Sequence, residues 1–193
     1  MSRLPLTDPQ DLPPFLESMH DGAAENDWST RHCARVFAAH PDILERYLAF
    51  YYPFHASEPG SLLDSRIKEL VRLRIATLNG CKTCKAARLA PGEVSEREAA
   101  VGVDEPAEAA FSARERAALA LAEQMALDHH AFDDAAMSAL RRHFSEAETL
   151  ELMMMIGQYI GFGRMLAMLQ LEETHCPIEP AVESQPQTAE SLR

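Results

Sequence analysis

Cys81 and Cys84 stand with two residues between them in the stretch Asn79-Gly-Cys-Lys-Thr-Cys-Lys-Ala-Ala-Arg88. Two thiols at that spacing can cycle between dithiol and disulfide, or supply half of a metal site. Their surroundings favour reactivity. Positions 66 to 88 hold seven of the chain's 18 Lys and Arg and only one of its 30 acids, Glu69. The thiolate is the reactive form, and cations and helix N-termini both lower thiol pKa. Gly80 reads as a helix stop, which puts Cys81 near the start of the next helix. On a continuing helix the i, i+3, i+7 spacing brings Cys81, Cys84 and Arg88 to one face, with the Arg88 guanidinium beside the Cys84 thiolate. Glu69 lies 12 positions before Cys81 on the preceding helix. If the two helices fold back on each other, it reaches the thiols or holds Arg88 in a bidentate pair. Otherwise it forms an ordinary i, i+3 surface pair with Arg66 or Arg72.

The elements that must position these residues read as helices throughout. The chain has 30 alanines and only 12 valines plus isoleucines, and no period-two run. Pro41-Asp42 opens an apolar-aromatic stretch ending near His55. Four Ser-x-x-acid pairs, Ser61/Asp64, Ser95/Glu98, Ser112/Glu115 and Ser145/Glu148, have the spacing of capping boxes. These signals predict an all-α chain of about seven helices. Residues 1–20 read as an irregular N-terminal arm, 21–176 as one helical domain and 177–193 as a flexible tail. The last long helix carries Gly157, Gly161 and Gly163 among methionines and isoleucines. It reads as a buried core helix, a subunit seam, or both. The aromatic run of Tyr47, Phe50, Tyr51, Tyr52 and Phe54 reads as core or subunit contacts, with one wall of a substrate pocket available from it.

A net charge of −12 argues against general nucleic-acid binding, which needs a basic face. The longest apolar run, 152–163, is too short for a membrane span. The proline-rich first residues lack the apolar core of a signal peptide. These features point to a cytoplasmic, reducing setting, where a close cysteine pair serves redox or metal chemistry more often than permanent crosslinking.

The stretch Glu69-Leu-Val-Arg-Leu-Arg-Ile-Ala-Thr-Leu-Asn-Gly-Cys-Lys-Thr-Cys84 resembles the signature of the alkylhydroperoxidase D (AhpD)-like, or carboxymuconolactone decarboxylase, superfamily. The segment beginning Phe111-Ser-Ala-Arg-Glu-Arg and the run Gln158-Tyr-Ile-Gly-Phe-Gly-Arg164 are similar to its peroxidase-related branch. The resemblance covers residues 40–172. It implies an all-helical oligomer that reduces hydroperoxides. In that scheme Cys84 attacks the peroxide, Cys81 acts as proton donor and resolving thiol, and Glu69 serves the proton relay. Those peroxidases carry a histidine four residues after the second cysteine, where this chain has Arg88, and often another between the cysteines, where it has Thr83. Arginine stabilises a thiolate but cannot shuttle protons at neutral pH. No cofactor is implied. The partners are a small hydroperoxide, an external dithiol reductant of thioredoxin-like or lipoyl type, and further copies of the chain, with no nucleic acid and no membrane.

Other readings of the same residues are open. The pair could sense oxidant without turnover or exchange disulfides. A structural zinc site would draw on His32-Cys33 or His175-Cys176, although adjacent residues rarely point at one metal and the basic surroundings repel a cation. His129-His130 reads as a cap favourable to the end of a helix, and Cys33 and Cys176 as unpaired thiols.

Overall fold

A computed structural model describes residues 2–23, 27–55, 60–81, 84–85, 87–90, 92–95, 98–99 and 111–171. The described residues form seven α-helices and no strand. They are α1 (Pro14–Gly22), α2 (Trp28–Phe37), α3 (Pro41–His55), α4 (Ser65–Leu78), α5 (Ala113–Leu127), α6 (Asp134–Leu140) and α7 (Glu146–Met168). Short helical turns occur at 84–85 and 98–99, and 3-10 turns at Pro9–Asp11 and His129–Ala131. No helix among the described residues is long and apolar enough to cross a membrane. The expected tail, Thr83, His175 and Cys176 lie outside the described residues.

α4 is the central element. It packs against α5 and α7 and is buried from Ile67 to Leu73 without a break. One side of it joins a core of Ile67, Val71, Ile75, Leu121, Leu152, Met155 and Ile156. Its other side, Leu70 and Leu73, meets Val94, Ala99, Phe111 and Leu119. A second apolar cluster, Leu16, Cys33, Ala34, Leu44, Leu166 and Leu171, binds α1, α2 and α3 to the end of α7. Burying an aliphatic side chain contributes roughly 1.5–3 kcal/mol, so the two clusters that include α4 residues hold that helix on both sides.

Burial on every face forces the polar residues of α4 into pairs, because an isolated buried charge is costly. Lys68, 3% exposed, meets Glu151 at 2.9 Å. Glu151 also accepts from the Leu62 amide at 2.8 Å and the Ser61 hydroxyl at 2.9 Å. Glu69 and Arg72, 2% and 3% exposed, form the second pair.

The caps follow the expected pattern with one correction. Ser112/Glu115 and Ser145/Glu148 are complete capping boxes, and Ser95/Glu98 exchanges the same reciprocal bonds. Ser61/Asp64 is not a box. Asp64 itself caps α4 by accepting from the Ile67 amide at 2.8 Å. Its short carboxylate reaches that amide directly, which moves the helix start past Ser61.

The irregular arm expected over residues 1–20 also needs correction. Pro14 supplies the fixed φ suited to a first helical turn, and α1 buries Leu16 fully. Before α1 the chain is tied down. Arg3 donates to the Met168 carbonyl at 2.7 Å, its amide donates to that of Leu169 at 3.0 Å, and the Thr7 amide meets the Arg35 carbonyl at 3.1 Å.

The three glycines of α7 part company. Gly163 is buried against Asn79, whereas Gly157 and Gly161 have open space where a side chain would stand. They share an exposed face with Leu150, Met154 and Met168.

Candidate redox site

The turn after α4 is a Schellman motif. Gly80 takes a left-handed φ of +70°. Its amide donates to the Thr77 carbonyl at 2.9 Å, and the Cys81 amide to that of Ala76 at 2.9 Å. The motif ends α4 and swings Cys81 beneath the following turn, where it is fully buried. Cys81 then opens that turn. Its Sγ accepts from the Cys84 amide at 3.1 Å, as a capping side chain does, and its carbonyl accepts from the Lys85 amide at 3.0 Å. Cys81 and Cys84 are joined as a disulfide, with Cα atoms 5.3 Å apart. Cys84 is only partly buried and borders a cavity; Cys81 does not.

Helical structure stops within three residues of Cys84, and 87–88 are non-helical. The shared face expected for Cys81, Cys84 and Arg88 presupposed a continuous helix, so that argument does not hold. The physical reason lies in α4. Arg72 reaches across and donates to the Cys84 carbonyl at 2.5 Å and the Ala87 carbonyl at 2.6 Å. Glu69 accepts from the Leu89 amide at 3.3 Å. Both backbone polarities of the turn are thus drawn onto α4 instead of onto each other. Arg88 lies beyond the turn and donates to the Lys85 and Ala87 carbonyls.

Glu69 pairs with Arg72 through two 2.8 Å bonds. The bidentate partner is therefore Arg72, and the i, i+3 spacing belongs to a buried pair and not to a surface one. Glu69 does fold back over the cysteine turn, through the Leu89 amide.

Arg72, Cys84, Tyr51, Tyr52, Tyr159 and Asn79 border one cavity of about 370 Å³. Its remaining wall is mainly apolar, with Leu44, Leu48, Phe162 and Leu166. The aromatic run thus supplies a cavity wall. Tyr47 stacks on Phe162 with centroids 4.3 Å apart and on Tyr51 at 5.5 Å. Tyr51 and Tyr159 share a hydrogen bond. Burial pushes the Tyr51 phenol up to about 12, against the pull of its bond with Tyr159 and of the Arg72 charge. Burial raises Tyr159 further, and its bond to Tyr51 adds to the rise. Asn79 anchors this wall by donating to the Tyr159 carbonyl at 3.2 Å. Cys33 also borders the cavity; it is buried, and its thiol is pushed up to about 12 by desolvation.

Arg72, Tyr159 and Asn79 were not singled out from the sequence as site residues. Arg72 offered one signal, its i+3 spacing from Glu69. Tyr159 lies some 75 residues from the cysteines in sequence, and only the packing of α7 on α4 joins them.

No protein-family model and no curated protein matches the sequence. Solved structures do match. An uncharacterized peroxidase-related protein from Silicibacter sp. TM1040 superposes with a TM-score of 0.70 at 21% identity, covering 87% of this chain and 88% of that one. An uncharacterized peroxidase-related protein from Ralstonia eutropha JMP134, described as an alkylhydroperoxidase AhpD core, gives 0.68 at 19% identity, covering 89% and 91%. A protein of unknown function from Agrobacterium tumefaciens gives 0.58 at 23% identity, covering 74% and 96%. With the cysteine pair held at disulfide distance on an all-helical frame, the chain has the AhpD-like fold.

Proposed function

We propose that the protein is a thiol-dependent peroxidase that reduces a hydroperoxide with Cys84 and closes the Cys81–Cys84 disulfide. One observation carries the reading: of two bonded sulfurs, Cys84 borders a cavity large enough for a small organic molecule, and Cys81 lies buried behind it. That asymmetry suits an attacking thiolate in front and a resolving thiol in reserve. The two α4 side chains would act in different ways. Arg72 fixes the backbone at both ends of the turn and brings a permanent positive charge to the cavity wall beside Cys84. Glu69 holds Arg72 in that pose. An external dithiol returns the disulfide to two thiols.

Steady-state consumption of tert-butyl hydroperoxide with dihydrolipoamide as reductant tests the reading. Wild-type protein should turn over repeatedly and Cys84→Ser should be inactive. Activity retained in Cys84→Ser, or a single stoichiometric oxidation without turnover, would sink it; the second outcome would identify an oxidant sensor.

A further inference from the structure

A thiolate that attacks a hydroperoxide expels an alkoxide, a strong base that needs a proton as the O–O bond breaks. No histidine is among the described residues bordering the cavity, and a guanidinium does not give up its proton. Two phenols on the cavity wall can. Tyr51 and Tyr159 border the same cavity as Cys84 and are bonded to each other, with rings edge-to-face at 5.8 Å. They sit within the fields of the Glu69–Arg72 pair, and Tyr47 and Tyr52 flank Tyr51. The shared bond acts on them differently: it eases ionisation of Tyr51 and hinders that of Tyr159. An ionised Tyr51 thus keeps the Tyr159 hydroxyl as its partner, which makes Tyr51 the phenol of the pair better suited to give up a proton. The two residues come from different helices, α3 and α7.

Resting on the peroxidase reading, we propose that Tyr51, backed by Tyr159, is the general acid of this site. The Cys84 thiolate attacks the terminal oxygen of ROOH. An S–O bond forms, the O–O bond breaks, and sulfur is oxidised by two electrons while the peroxide is reduced. The departing RO⁻ takes the Tyr51 proton and leaves as ROH. The resulting phenolate is stabilised by the Tyr159 hydroxyl and the Arg72 charge, and regains a proton from solvent, balancing the one lost when the Cys84 thiol ionised. Cys81 then attacks the sulfenic acid, releasing water and forming the disulfide. The external dithiol completes the cycle.

Leaving-group chemistry provides the test. Pre-reduced wild type, Tyr51→Phe and Tyr159→Phe are mixed with tert-butyl hydroperoxide or with peracetic acid, and thiol loss is followed by stopped flow. Peracetic acid expels acetate, which needs no proton. Tyr51→Phe should be about 100-fold slower with the alkyl hydroperoxide and changed by less than about threefold with the peracid. Tyr159→Phe should show the same selectivity with a smaller loss. Alkylation of Cys84 by iodoacetamide, which needs a thiolate and no acid, should keep its rate in both variants and so reports an intact pocket. Equal losses with both oxidants, or no loss with either, would overturn the proposal. Failure of the wild type to react with either oxidant would instead remove the peroxidase reading itself, and this proposal with it.

Discussion

Arg72 makes five hydrogen-bonding N–H groups available from a rigid plane, and four bonds use them to tie Glu69 to the Cys84 and Ala87 carbonyls. A lysine ammonium at the same place is a point donor and cannot span a carboxylate and two carbonyls together. The pair is almost wholly buried, so removing one member strands the other. Arg72→Ala should therefore cost about 3–5 kcal/mol in urea unfolding, and the pH midpoint for Cys84 alkylation should rise as the positive charge is lost. An unchanged unfolding midpoint would show that Glu69 finds another partner or water. This is also the residue at which sequence reasoning fell short. The i, i+3 spacing of Glu69 and Arg72 is plain in the sequence, but spacing carries no information on burial. A surface pair and a buried clamp on the cysteine turn look identical there.

At the scale of elements, the Asn79–α7 junction decides how closely α4 and α7 can approach. Asn79 caps α4, donates to the Tyr159 carbonyl at 3.2 Å and accepts from Arg164 at 3.2 Å. A Cβ on Gly163 would lie 2.7 Å from the Asn79 amide nitrogen. Gly163→Ala should push Asn79 from its seat and destabilise the fold by about 1–3 kcal/mol, as overpacking does. Gly161→Ala meets open space and should instead stabilise by about 0.5–1 kcal/mol through helix propensity. Chemical denaturation of both variants checks the contrast, and similar values at the two positions would refute the close-approach account. The sequence offered three glycines on one helix as a single motif. The fold uses one for contact and leaves two on an open face, because the angular offset of Gly163 from the other two turns it toward α4.

At the scale of the whole molecule, long-range ion pairs cross-link segments far apart in the chain. Arg66 joins α4 to Glu98 at 2.6 Å and to Glu115 at 2.5 Å, and Arg114 joins α5 to Glu148 of α7 at 2.7 Å. The Arg66 and Ser95 bonds hold the Glu98 carboxyl at about 2, and the Ser145 amide and Arg114 hold that of Glu148 at about 2. Their ordinary value is 4.5. A folded-state value below the unfolded one means a contribution fully present above pH 4.5 and lost as pH falls toward 2. Melting temperatures should thus fall between pH 4.5 and 2, and Glu148→Gln should flatten that fall while lowering stability at neutral pH. A variant with an unaltered pH profile would contradict the assignment.

The sequence alone determined the helical class, because alanine-rich composition and serine-acid caps act through local energetics that need no partner. It also marked the cysteine pair and its Gly80 turn, since a helix stop is a property of a few consecutive residues. Tertiary structure alone decided which charges meet the turn and which rings share the cavity. Tyr51, Arg72, Cys84 and Tyr159 lie on separate elements. Their meeting depends on how the buried faces of α3, α4 and α7 pack, a balance of many side-chain contacts that no single spacing records.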